Sequence, residues 1–199
     1  MSDHYFSADP AAPFSREPFT CEVWGNRLDL VSGSGVYSKG RLDIGTSVLF
    51  RETEPPASGR ILDLGCGYGV IGLAIARAGA ADVTGVDVNE RAVLLANENA
   101  AALGLADRFR AATPGAVAAD ATYDEIWSNP PIRIGKEALH DLLLRWLPRL
   151  VPGGRAVMVV GKYLGGDSLQ RWLGEQGYPT TRLASAKGFR VLETRRPGD

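Results

Sequence analysis

The sequence is poor in the residues that staple or metallate a small protein. It holds two cysteines, Cys21 and Cys66, and two histidines, His4 and His140, in 199 residues. Two scattered cysteines make no disulfide framework, so a reducing, cytoplasmic setting is expected. These four side chains also lack the spacing of a zinc set, so no metal is expected. Long apolar runs are missing as well. The longest, near Gly69–Ala81, is broken by Arg77, short of the ~18 consecutive apolar residues of a membrane helix. The first residues, Met-Ser-Asp-His-Tyr-Phe, show neither a basic nor an apolar leader segment, so no secretory signal is expected. A large net charge is absent too: 22 Lys and Arg against 23 Asp and Glu leave −1.

What is present is an ordinary globular composition, 45% hydrophobic and 23% charged. That excludes a largely disordered chain. A prior of ~150 residues per domain predicts one domain with a short appendage, burying roughly 70% of its unfolded surface. Charge is unevenly spread. Residues 1–99 carry 8 basic and 13 acidic side chains, whereas from Arg145 onward the count is 10 against 4. A solvated surface explains such asymmetry; a basic face for a polyanionic substrate is the sharper reading.

Residues 1–17 are polar and aperiodic and read as an arm. Phe19–Trp24 and Arg27–Val31 flank Gly25-Asn26 and predict a hairpin. Ser32–Gly35 reads as a flexible loop, Val36-Tyr37 as a short strand, and Asp43–Arg51 as a helix capped by Asp43 or Thr46. From Arg60 the pattern alternates. Strands are expected at Arg60–Leu64, Asp82–Asp87, Arg108–Ala112, Tyr123–Ser128 and Arg155–Gly161. Helices are expected at Val70–Ala78, Glu90–Leu103, Lys136–Leu147 and Asp167–Gln176. Thr180–Ala186 and Phe189–Arg195 form a closing hairpin across Lys187-Gly188. Such alternation predicts an α/β, doubly wound, mostly parallel sheet. Trp127 and Trp146 are expected in the core, His140 in a structural role, and Asn97 and Asn99 on a helix surface.

Ligands bind such sheets beyond the carboxyl ends of the strands. Two features point there. Asp63-Leu-Gly65-Cys66-Gly67-Tyr-Gly69 makes a turn whose backbone can approach a ligand closely, followed by a helix N-terminus. Asp87 ends the next strand, where a carboxylate can accept ribose hydroxyls. Gly67-x-Gly69-x-x-Gly72 also satisfies the dinucleotide pattern, but alone that match is weak. A carboxylate at Asp63 repels a pyrophosphate and suits a sulfonium or an α-ammonium, which favours S-adenosylmethionine over NAD. Gly72 reads as a close helix–sheet contact. Cys66 has no base near it in sequence and is not read as a nucleophile.

These residues, with Asp87-Val88-Asn89, resemble motifs I and II of class I S-adenosylmethionine-dependent methyltransferases. The resemblance covers roughly Ile61–Arg196. It implies a Rossmann-like seven-stranded sheet with the last strand antiparallel and helices on both faces. It divides the chain into an N-terminal arm, hairpin and cofactor-covering helix at 1–55 and the methyltransferase domain at 56–199. It also implies a cofactor set of Asp63, Gly65, Cys66, Gly67, Gly69, Asp87, Val88 and Asn129. The family often reads adenine with a carboxylate after the third strand; Ala111-Ala112-Thr113 offers none, which leaves Thr113.

Ser128-Asn129-Pro130-Pro131 follows a strand on the same rim. Two prolines fix an extended, rigid turn. The Asn129 amide oxygen and the Asn129 and Pro130 carbonyls can hold both hydrogens of an exocyclic amine and aim its lone pair. The bland alternative is a plain strand-ending turn. The turn resembles motif IV of methyltransferases that act on amino groups of planar systems, which implies catalytic roles for Asn129, Pro130, Pro131 and Ile132. That family usually carries an aromatic where Ile132 stands.

Ile132-Arg133-Ile134-Gly135-Lys136, with Asp43-Ile-Gly45-Thr46 and Lys187-Gly188-Phe189-Arg190-Val191, resembles the catalytic domain of small-subunit ribosomal RNA guanine-N2 methyltransferases, in a single-domain form. The expected activity is methyl transfer to guanine N2, with ribosomal RNA as partner. Arg133 and Lys136 would meet phosphate or guanine, or form an exposed loop and a helix start. Tyr37 either stacks on a ligand or packs. A protein glutamine amide or a small amine is the alternative acceptor, and a non-catalytic S-adenosylmethionine-binding module the alternative class.

Overall fold

From Ser58 onward, apolar runs that alternate in period two give way repeatedly to Ala- and Leu-rich runs. The chain folds into strands and helices at those places. The computed structural model describes residues 15–35, 40–131 and 134–198. A hairpin of β1 (Arg16–Val23) and β2 (Asn26–Gly33) comes first, then helix α1 (Ile44–Arg51). The alternating part runs β3 (Ser58–Leu64), α2 (Val70–Ala78), β4 (Ala80–Val86), α3 (Glu90–Ala102), β5 (Phe109–Ala112) and β6 (Tyr123–Ser128). It continues with α4 (Lys136–Trp146), β7 (Leu150–Gly161), α5 (Gly166–Glu175), β8 (Thr180–Ala186) and β9 (Phe189–Arg195).

Seven strands pair in the order β5-β4-β3-β6-β7-β9-β8. The β3, β4, β5, β6 and β7 pairs are parallel, and β9 lies antiparallel to both of its neighbours. This is the expected architecture. The period-two alternation of side chains divides the core into two layers. Ile61, Val83, Trp127, Val157 and Val159 face α1, α2, α3 and the hairpin. Leu62, Leu64, Ile126, Met158 and Val160 face α4 and α5. Trp127 and Trp146 are fully buried.

Several expectations need correction. β1 begins at Arg16, inside the predicted arm; Pro18 is tolerated because β1 belongs to a two-stranded sheet and has a free edge. β2 continues through Ser32 and Gly33, predicted as flexible loop. Ser32 is buried, and its hydroxyl accepts the Gly40 amide at 2.6 Å. β7 starts five residues early, at Leu150, through a register shift against β6 that absorbs Pro152, Gly153 and Gly154. Asn99 is buried rather than a surface residue of α3, because the hairpin covers that face. Its side-chain nitrogen donates to the Val31 and Tyr68 carbonyls (both 2.9 Å), and its oxygen accepts the Val31 amide (2.8 Å). Asn97 similarly exchanges two hydrogen bonds with the Ala111 backbone (2.9 and 3.0 Å), satisfying the free edge of β5. The predicted Val36-Tyr37 strand lies outside the described residues.

Candidate active site

The carboxyl ends of β3, β4 and β6 meet on one rim, and the glycine turn is built there. Past Leu64 the backbone passes through left-handed conformations at Gly65 (φ 73°), Gly67 (φ 55°) and Gly69 (φ 92°). The Gly65 and Cys66 amides donate to the Val86 carbonyl (2.8 and 3.0 Å), lashing the turn to β4. Gly69 is the N-cap of α2 and has no side chain to cap with. Asp63 takes that part: its Oδ2 accepts the Gly72 amide at 2.8 Å. A carboxylate at a helix N-terminus is favoured by the unpaired amides there. Gly72 itself is a packing glycine, as expected. A Cβ on it would stand 2.5 Å from the Phe109 ring and 3.0 Å from Asp63 Oδ2.

Asp63 has no exposed surface, and its second oxygen, Oδ1, is buried without a hydrogen-bond partner. Burial raises its pKa from 3.8 to about 7; the Gly72 bond opposes the rise and the nearby Asp87 adds to it. An orphaned, desolvated carboxylate oxygen is an attractor for a cation. Asp87 stands just past β4. Its Oδ2 accepts the Gly67 amide and its Oδ1 the Asn89 amide, both at 2.9 Å. Burial raises its pKa, while backbone donors from Asn89, Gly67 and Val88 pull it back. Each carboxylate oxygen keeps a further lone pair for a hydroxyl donor. Val88, next in the chain, is an exposed large apolar side chain on this rim. Burial pushes the Cys66 thiol well above its ordinary value, against any nucleophilic role.

The Asn-Pro-Pro turn lies beside this cradle. Asp63 pairs across to Trp127, two residues before Asn129. The Ser128 hydroxyl donates to the Leu64 carbonyl at 2.6 Å, joining the two strand ends. Pro130 is buried, and Pro131 Cδ lies 3.7 Å from where a Cβ on Gly65 would stand. The Asn129 side-chain nitrogen donates to Asp43 Oδ2 at 2.8 Å and to Thr46 Oγ1 at 3.0 Å. A carboxylate only accepts, so the NH2 end of the amide faces α1. Both of its hydrogens are used there, and Oδ1 stays free of partners among the described residues. Asp43 also caps α1, accepting the Thr46 amide at 3.1 Å, which settles the choice between the two predicted caps.

The structure thus brings Asp63, Gly65, Cys66, Gly67, Gly69, Asp87, Val88, Asn129, Pro130 and Pro131 to one rim. Lys136 is exposed in the first turn of α4. Thr113 follows β5 and is half-buried. Tyr37, Ile132 and Arg133 lie outside the described residues. Gly35 and Gly40 are each held in place: the Asn89 side chain donates to the Gly35 carbonyl (2.7 Å), and the Ser32 hydroxyl accepts the Gly40 amide. His140 stacks on Trp172, with ring centroids 3.5 Å apart. Among the described residues, no group of three His, Cys, Asp or Glu stands as a metal site requires, and no helix is long and apolar enough to cross a membrane. The contact that sequence reasoning missed is Asp43 and Thr46 with Asn129. Its signal is only the Asp-x-x-Thr spacing, which a helix cap already explains.

Comparison with known proteins agrees with this fold. Residues 27–193 match the family model of the methyltransferase small domain. Uncharacterized protein YbxB of Bacillus subtilis (strain 168) is 33% identical, over 98% of this chain and 100% of its own length. Ribosomal RNA small subunit methyltransferase C of Pseudomonas aeruginosa (strain LESB58) is 34% identical over 95% of this chain and 57% of its own. A solved T. thermophilus 16S rRNA N2 G1207 methyltransferase, in complex with AdoMet and guanosine, superposes with a TM-score of 0.77 at 26% identity. That match covers 91% of this chain and 50% of the other. The chain therefore spans little more than half the length of the ribosomal RNA methyltransferases it resembles, and all of YbxB.

Proposed function

The chain belongs to the methyltransferase small domain family, and from that premise we propose that it transfers a methyl group from S-adenosylmethionine to the exocyclic N2 of a guanine in small-subunit ribosomal RNA. One observation carries the reading: a buried carboxylate oxygen without a partner, on Asp63, stands one strand away from an amide whose oxygen alone is free, on Asn129. The first suits a cationic donor and the second an amine acceptor. The substrates that the ribosomal RNA relatives are named for support the same assignment, and this acceptor makes the cytoplasm the site of the reaction.

S-adenosylmethionine supplies an electrophilic methyl group on a positively charged sulfur. Asp63 Oδ1 and the Gly65–Gly69 backbone hold its methionine end, Asp87 accepts its ribose hydroxyls, and Val88 gives its base an apolar surface. Asn129 Oδ1 and the Pro130 carbonyl accept the two N–H bonds of the guanine amine. That draws the nitrogen lone pair out of conjugation and directs it at the donor. As the nitrogen gains positive charge, the same acceptors stabilise it. No strong base is needed, since the methylated amine loses its proton to water. Pro130 and Pro131 keep the acceptors from turning away. Lys136, with Arg133 and Tyr37, contacts the RNA.

The test is transfer of labelled methyl to small-subunit RNA. Asn129→Ala should abolish transfer and leave S-adenosylmethionine binding within about twofold; a variant that still turns over refutes the assigned role. Nuclease digestion of the substrate extract should remove the labelled product. Product that survives digestion would point to a protein amide or small amine instead.

A further inference from the structure

We infer that Asp43 and Thr46 are positioning residues that decide which end of the Asn129 amide meets the methyl acceptor. The inference rests on the acceptor role given to Asn129 above and adds a device that controls it. An asparagine side chain has nearly the same shape when its amide is turned over, but the two ends have opposite chemistry. Turned one way, Asn129 offers an oxygen that accepts the hydrogens of an incoming amine. Turned the other way, it offers N–H donors that repel them.

The contacts around α1 remove that ambiguity. Asp43 Oδ2 and Thr46 Oγ1 receive both amide hydrogens, at 2.8 and 3.0 Å. A turned amide would set its oxygen against a carboxylate and lose the bond to it. Donation to a charged acceptor also polarises the amide, placing more negative charge on Oδ1. The Asp43 charge, relayed through the Asn129 amide and two hydrogen bonds from the reacting nitrogen, favours the positive charge that develops there.

The pair is itself fixed. Asp43 caps α1 with the same oxygen, and its carbonyl accepts the Ser47 amide at 2.8 Å. Gly45, two residues on, leaves no room for a Cβ, which would lie 2.9 Å from both Asp43 Oδ2 and the Phe189 ring. Phe189 pairs with Gly161 at the end of β7. The first turn of α1 is thereby seated on the sheet that carries Asn129.

Asp43→Ser keeps a capping hydroxyl for α1 but is too short to reach Asn129. Thr46→Val removes the second acceptor with little change of shape. Each should lower kcat for RNA methylation by roughly 10- to 100-fold, the range for a hydrogen bond to a charged or buried polar group. S-adenosylmethionine affinity should stay within about twofold. Asn129→Asp, which opposes two carboxylates, should be inactive, and D43N/N129D should regain part of that loss, because an amide and a carboxylate face each other again. A readout without RNA completes the test. The Asn129 side-chain NH2, followed by NMR, should exchange with water at least about tenfold faster in Asp43→Ser than in the native chain. Native exchange rates and native kcat in Asp43→Ser and Thr46→Val would overturn the inference, as would a parallel fall in cofactor binding. If the exchange result holds while the native chain methylates no RNA, the positioning device stands and the assigned acceptor fails.

Discussion

Lowering the pH should weaken cofactor binding through Asp63. This carboxyl titrates near 7 instead of 3.8, chiefly because burial disfavours the charged form. A bound cation reverses that preference, so binding must release the proton. By linkage, affinity then falls by up to about tenfold for each pH unit below 7 and levels off above it, until the cofactor's own α-ammonium (pKa ~7.7–8.0) begins to lose its charge. A maximum between pH 7 and 8 is expected. Calorimetry in buffers of different ionisation heat should count close to one proton released per cofactor at pH 6. Asp63→Asn, which keeps an acceptor for the Gly72 amide, should bind roughly 10- to 100-fold more weakly at pH 8 and lose the acid limb. S-adenosylhomocysteine, which lacks the sulfonium charge, tells the two cations apart: it keeps the acid limb if the ammonium is the partner and loses it if the sulfur is. The same shift contributes to the pH dependence of folding stability. A carboxyl whose folded pKa is raised holds its proton more tightly when folded, so stability is fully present below about pH 4 and declines as pH rises to about 7. From the two pKa values the decline is up to about 4 kcal/mol. An affinity independent of pH between 5 and 7, with no proton released, would refute this account of Asp63.

Two packing predictions accompany it. Gly72→Ala puts a methyl 2.5 Å from Phe109, and thermal melting should show a loss of about 1–3 kcal/mol, with weaker cofactor binding because Asp63 moves with the Gly72 amide. Asn99→Ala removes the side-chain partner of the Val31 amide and carbonyl under the hairpin and one donor to the Tyr68 carbonyl. It should cost roughly 2–4 kcal/mol in denaturant unfolding and speed hydrogen exchange in β2.

The parts of the molecule written locally in the sequence were the parts that could be read there. The glycine turn announces itself because left-handed backbone at Gly65, Gly67 and Gly69 demands that residue. The Asn-Pro-Pro turn does so because two prolines cannot sit in a central strand. Asp63 and Asp87 were legible as strand-end carboxylates, but the unpaired oxygen of Asp63 was not, since it depends on the complete burial of that side chain in the folded core. Asn97 and Asn99 looked like the polar face of a helix; the neighbours that bury or occupy them come from β2 and β5, distant in the chain. β7 hid its first five residues behind Pro152-Gly153-Gly154, which read locally as a turn. Asp43 showed only its local work as a cap, and its bond to a residue 86 positions away required the fold.

The place of β9 in the sheet has a consequence for synthesis. β8 is translated before β9, yet among the described residues β9 is its sole strand neighbour and lies between it and β7. A nascent chain therefore carries β8 without a partner until Lys187 and Gly188, both with left-handed backbone, turn the polypeptide back and the final strand slots into the gap. Phe189 arrives with that strand and braces the start of α1. The ring that packs beside Gly45 is therefore added only after the other six strands of this sheet have been made.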